Sequence, residues 1–260
     1  MSDFILARKS RNIASSMVHV MMNILLGIGA VLITLLSNNP LLGLILVITS
    51  KWRVFAVRPR YYWINLKSNL VDYIVGISIV LLAYSAGNSF LPIHIILAAF
   101  YCIWLIFLKP MSSEKANLMQ SLVAVFLGIS ASVIMTSNLD SVVLIILAFI
   151  VGYSASRHVL VQSDDRDYTL TTFVCGLVFA ETAWLCHAWN IIYTFGSTGI
   201  RIPQLTLILT IFAFAYNYAR QLIIKKQQDY RFKDIALPVI YSAILILVII
   251  IWFSKPIFNI

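Results

Sequence analysis

The chain has 260 residues, of which 61% are hydrophobic and 11% charged, with a net charge of +9 and a mean hydropathy of +0.92. A soluble domain is about 45–50% apolar and about 25% charged, so this supply of charge cannot cover a soluble surface. The composition excludes a soluble enzyme, a disordered chain and a disulfide-stapled secreted module, and leaves an all-α, polytopic bundle of transmembrane helices.

A span needs about 20 apolar residues. In chain order the apolar runs predict nine: 14–37, 40–57, 68–87, 91–108, 117–136, 139–157, 169–193, 203–222 and 235–254. They form a single integral membrane domain. Turn-prone clusters separate several of them, among them Ser37-Asn38-Asn39-Pro40 and Gly196-Ser197-Thr198-Gly199. Barrel strands would alternate apolar and polar residues; these runs are apolar on every face, which predicts helices. The first run is longer than the apolar core of a signal peptide and no cleavage site follows, so it reads as an uncleaved span.

The cations orient the bundle. Arg8, Lys9 and Arg11 precede the first span. Lys51, Arg53, Arg58, Arg60 and Lys67 follow the second, Lys109 and Lys115 the fourth, and Arg157 and Arg166 the sixth. Arg220, Lys225, Lys226, Arg231 and Lys233 follow the eighth. With nine crossings all of these share one side, and only Arg201 and Lys255 fall on the other. The positive-inside rule then puts the N-terminus in the cytoplasm and the C-terminus outside. The second run is the weakest, because residues 40–50 span only about 16 Å. Extending it to Val57, with Lys51 and Arg53 snorkelling to the headgroups, keeps the charge asymmetry; a re-entrant loop would destroy it.

Two small-residue stripes, Ala124/Gly128/Ser132 and Ala148/Gly152/Ser156, predict a close antiparallel hairpin of spans five and six. Cys102, Cys175 and Cys186 lie in apolar runs and read as free thiols. Glu181 stands mid-way along span seven, with 12 residues on either side. A charge there is costly, so it is expected to face the bundle interior as an ion or substrate site, or to bond a neighbouring helix. His187 and Asn190 share another face, near Trp184 and Trp189, and resemble an interfacial belt. No set of ligands for a metal is brought together, and no cofactor is expected.

The loop 51–67 has five cations, five aromatic residues and no acid. Lys51, Arg53, Arg58 and Arg60 are therefore candidates for contact with anionic phospholipids. The spacing of Lys51 and Arg58-Pro59 resembles the opening motif of membrane-bound type-2 phosphatidic acid phosphatases, but the PSGH element and the histidine of that chemistry are missing. Asp164, Asp165 and Asp167 follow span six and could hold Mg²⁺ for a diphosphate. Nine spans with an acidic loop there resemble the UbiA-type intramembrane prenyltransferases. That resemblance implies a second acidic motif after span two, where only Asn69 and Asp72 stand, among cations.

The segments SKWRVFAVRPRYYWINLKSNLVDYIVGIS, AETAWLCHAWNIIY and IPQLTLIL resemble uncharacterised multi-spanning proteins of Patescibacteria, of the Saccharibacteria kind. The likeness runs from about residue 50 to 220. It implies a bacterial cytoplasmic membrane and brings no activity. The residues themselves favour a carrier or membrane-embedded partner subunit handling a small solute, ion or lipid. A lipid or prenyl transferase and a structural component of a membrane assembly are the alternatives. The expected surroundings are the bilayer, anionic phospholipids and protein partners in the membrane, not nucleic acid.

Overall fold

The computed structural model describes residues 2–87, 91–161, 167–188, 191–195, 198–226 and 232–252. Ten α-helices lie among them: α1 (Ser2–Ser37), α2 (Pro40–Thr49), α3 (Tyr62–Ser68), α4 (Leu70–Ser85), α5 (Pro92–Ile103), α6 (Glu114–Met135), α7 (Ser141–Leu160), α8 (Tyr168–His187), α9 (Gln204–Lys226) and α10 (Phe232–Trp252). The chain is membrane-embedded and multi-pass in character. α1 from Met17 onward, α6, α7, α8, α9 and α10 are each long and apolar enough to cross a bilayer, and α3 with α4 makes a seventh candidate bent by 64°. Two shorter apolar helices, Pro40–Thr49 and Pro92–Leu108, complete the set.

The helix ends follow local chemistry. Asn39 caps α2 through a bond from Leu41 N, with Pro40 at the first helical position. Ser113 caps α6 by accepting from Ala116 N, and Asp140 caps α7 by accepting from Val142 N. Asn38 takes φ +50 in the tight α1–α2 turn, a conformation asparagine tolerates.

Span two departs from expectation. α2 ends at Thr49, not Val57, and two single 3₁₀ turns follow, Trp52–Val54 and Pro59–Tyr61. The X-Pro step at Arg58-Pro59 favours extended backbone before the proline, and Arg58 is extended at ψ 140. Tyr61, Tyr62, Trp63 and Ile64 are exposed along the start of α3. Such an aromatic, half-polar helix suits a membrane interface.

α2 is antiparallel to α4 and runs along most of it. A Cβ on Gly43 would strike Thr34 and Val80, one on Gly76 would strike Val47 and Tyr101, and Lys51 reaches Asp72. His94 Nε2 stands 3.1 Å from Ala83 O, which pairs the start of α5 with the end of α4. One end of this half therefore holds Lys51, Asp72 and Lys109, and is called the basic end below. The other holds Pro40, Ser85 and Pro92.

The small-residue stripes pack differently from expectation. Gly128 of α6 faces Ile74 of α4 as well as Val151 of α7, while Gly152 of α7 faces Phe179 of α8. The most extensive helix pair is α7 with α8. A Cβ on Gly152 would lie 2.5 Å from Phe179 Cγ, in the body of a fully buried ring. Gly152→Ala gains up to about 1 kcal/mol of helix propensity, but overpacking costs about 1–3 kcal/mol. The variant is expected to unfold at lower temperature in detergent; an unchanged midpoint would mean the ring yields freely.

Span seven also ends early. α8 stops at His187, and Ile192–Thr194 (β1) pairs antiparallel with Arg201–Pro203 (β2), Thr194 opposite Arg201. Gly199, at φ +77, packs against Leu91 and Ile93 at the start of α5. This hairpin closes the end opposite the basic end.

Candidate functional site

The densest polar cluster surrounds Asp72, in the first turn of α4 and 7% exposed. Its Oδ2 lies 3.1 Å from Lys51 Nζ and 2.7 Å from Lys109 Nζ. Its Oδ1 accepts from Trp104 Nε1 at 3.0 Å. Lys51 Nζ also donates to the Asp72 carbonyl at 2.5 Å and sits 4.6 Å from the Tyr73 ring centroid. Three chain segments converge here, each for a local reason. The turn after α2 swings Lys51 inward. α5 continues as a single π turn, Trp104–Leu108, closed by Lys109 N to Trp104 O at 2.8 Å. That wider turn sets both Trp104 and Lys109 against one carboxylate. Two ammonium groups share one carboxylate, so the cluster carries one net positive charge.

Lys51 therefore does not snorkel to headgroups. It is 7% exposed and ion-paired, because α2 ends before it. Sequence reasoning meets Asp72 only as a remnant of an absent acidic motif and does not assign it an ion pair. The available signal was that it is the sole acid between residues 51 and 109, at the head of an apolar run.

Burial pulls the Lys51 ammonium from 10.5 down to about 8, against the opposing influence of Asp72. Between these values the unfolded chain binds a proton that the folded chain releases. The Lys51 contribution to stability is thus complete above about 10.5 and lost as pH falls through about 8. The stability of the wild type relative to Lys51→Met is expected to rise across that window and to be flat below it, in thermal midpoints taken at a pH series. A difference independent of pH would show that Lys51 keeps its ordinary affinity for the proton.

A second polar layer lies beside the cluster. Gln120 of α6 donates through Nε2 to Leu108 O at 2.5 Å and Met111 O at 2.9 Å. Its Oε1 faces His158 Nε2 of α7 at 2.7 Å. An amide oxygen only accepts, so Nε2 carries the proton. Gln120 thus joins two carbonyls at and just after the π turn to His158, which ties the end of α5 to α6 and α7.

Between α4, α5, α6, α9 and the hairpin runs an apolar cleft of about 400 Å³. Leu97, Phe100, Phe126 and Leu127 form its walls, and Arg201 of β2 lies at its hairpin end. Ser130, on its wall, donates to Thr206 Oγ1 at 3.2 Å. A further apolar cleft of about 560 Å³ lies between α8, α9 and α10.

The other sequence-predicted residues are scattered. Arg53, Arg58 and Arg60 are exposed on the basic loop, Arg60 lying 4.7 Å from its neighbour Tyr61's ring centroid. Asp167 is exposed ahead of α8; Asp164 and Asp165 lie outside the described residues, as do Trp189 and Asn190. No group of three His, Cys, Asp or Glu that could hold a metal occurs among the described residues. Glu181 does not face the bundle interior. It is exposed on the outward side of α8, six residues before the helix ends at His187. The inward side of α8 is taken by Cys175, Gly176, Phe179, Ala180 and Ala183. Cys102, Cys175 and Cys186 are free thiols.

Comparison with protein-family models, with curated proteins and with solved structures yields no match.

Proposed function

We propose that the chain crosses a bacterial cytoplasmic membrane nine times, N-terminus inside, as a carrier or partner subunit that takes an anionic amphiphile into the cleft beneath Arg201. Six long apolar helices, the bent pair α3–α4 and the two short apolar helices supply nine segments. Their connections alternate between the basic end and the hairpin end. The cations then fall on the cytoplasmic side except for Arg201 and Lys255.

The observation that carries the ligand class is the position of Arg201. On a side that the sequence otherwise keeps almost free of cations, this guanidinium sits at the end of an apolar cleft. A guanidinium binds phosphate or carboxylate through two parallel hydrogen bonds. Apolar walls beside a single charged group are what a lipid tail and its headgroup require. The outer leaflet is the expected source of the ligand.

Arg201→Gln removes the charge and leaves the walls. Loss of a charge-assisted bond is worth about 1.5–3 kcal/mol, so retention of anionic lipid is expected to fall about tenfold or more. The measurement is lipid mass spectrometry on protein extracted with its surrounding bilayer in polymer discs. Ser130→Trp, which fills the cleft wall, is expected to give the same loss with Arg201 intact. Wild-type retention in both variants would remove the cleft as a ligand site.

A further inference from the structure

Leu170, Val174, Leu177, Glu181 and Trp184 of α8 are all exposed; the first two also line the cleft between α8, α9 and α10, and Leu177, Glu181 and Trp184 continue the stripe beyond it. The spacing of four and three residues keeps them on one helical face. The helix is among those apolar enough to cross a bilayer. Glu181 lies about 9 Å inside its end at His187 and about twice that from the other end. Among the described residues none gives it a hydrogen bond or an ion pair. Neither cleft includes it in its lining.

We propose that the outward face of α8 is covered in the membrane by a transmembrane helix of a partner protein, and that this helix presents a lysine or arginine at the depth of Glu181. Ionisable side chains in membrane spans pair with one another or face a watery cavity. Among the described residues the chain supplies neither, and the proposal takes the counter-charge from outside it. A lipid headgroup does not fit, because the site is more than a turn below the helix end. A free cation does not fit either, because Glu181 is exposed on a helix face and lines neither of the two clefts described above. A second copy laid face to face would bring two Glu181 carboxylates together, and the described cation nearest that membrane side, Arg201, lines the cleft. A foreign helix with a cation answers both requirements, since Leu177 and Trp184 flank the acid as apolar packing surface.

The test places a photoreactive amino acid at Leu177 in the full chain, in living cells. After illumination the adducts are purified and identified by peptide mass spectrometry. The expected adduct is an apolar segment of one other membrane protein containing a lysine or arginine. Glu181→Gln is expected to cut its yield about tenfold while leaving the thermal midpoint of the purified chain unchanged, since Glu181 touches no described partner within it. Glu181→Lys should abolish the adduct, and exchanging the partner's cation for glutamate should restore it. Adducts to lipid alone, to a second copy of this chain, or to a segment with no basic residue would overturn the proposal. So would an adduct whose yield ignores Glu181→Gln.

Discussion

Asp72→Ala is expected to lower the unfolding free energy of the detergent-solubilised protein by about 3–5 kcal/mol, the largest single-residue effect in the molecule. Removing one member of a buried ion pair leaves the other charge stranded. Lys51 is the member that suffers. Its side chain is 5% exposed, and without Asp72 its ammonium keeps the Asp72-position carbonyl and the face of Tyr73 as neighbours, but no counter-charge. Trp104 Nε1 loses its acceptor as well. Lys109, with a side chain 42% exposed, turns to water and contributes little to the loss. Lys51→Met paired with Asp72→Leu removes both buried charges together, and a buried pair replaced by apolar groups of similar volume is often neutral. The double variant is therefore expected to recover most of the loss, giving a large coupling term in a double-mutant cycle. Additive losses across the cycle would mean that Asp72 acts through Trp104 and not through Lys51.

Much of the fold is legible in the sequence, and the parts that are not have identifiable causes. The C-terminal end of α1 and both ends of α6 and α7 fall within three residues of the predicted limits, most of them beside Ser, Asn, Asp or Pro, whereas α1 begins at Ser2, twelve residues before the predicted start. The predicted extension of α2 to Val57 comes from asking residues 40–50, too short to cross, to span while keeping the charge asymmetry; the helix instead ends at Thr49, and Lys51 turns in to pair with Asp72. The Asp72 cluster joins residues 21 and 37 positions away. No local period connects them, and the π turn that aims Lys109 leaves no recognised signal in WLIFL. Glu181 was misplaced for a related reason. α8 is apolar all round, so its sequence shows no preferred face. The small stripe of α7 then chose α8 as its neighbour, turning Phe179 inward and Glu181, two residues on, outward. The hairpin Ile192–Pro203 was hidden because β1 continues an apolar run that reads as the tail of a helix.

The second large effect is all-or-none. With the native cysteines replaced, single cysteines at Ala86 and Ser141 are expected to react with an impermeant thiol reagent on intact cells. Cysteines at Arg53 and Ser113 should react only after permeabilisation. Everything turns on α2. Ten residues make about 15 Å of helix, half of a hydrocarbon core of about 30 Å, and by length alone α2 would dip and return. The packing argues otherwise. Gly43 meets Thr34 and Val80, Val47 meets Gly76, and Lys51 meets Asp72. So α2 descends beside α4 from the end of α1 to the first turn of α4, and the chain emerges at the end where Lys109 and His158 also lie. α4 is itself only 16 residues, and Pro92–Leu108 is 17. The thin half is thus thin throughout, and the aromatic helix α3 lies across its basic end, where it can let the headgroups sit deep. A short span is accommodated by local thinning at a modest cost per ångström. Moving Lys51, Arg53, Arg58, Arg60 and Lys67 to the outer side would instead oppose the positive-inside bias of the whole chain. Arg53→Cys and Ser113→Cys both labelled from outside, with Ala86→Cys protected, would make α2 re-entrant. It would also place the Asp72 cluster at a surface facing the cell exterior.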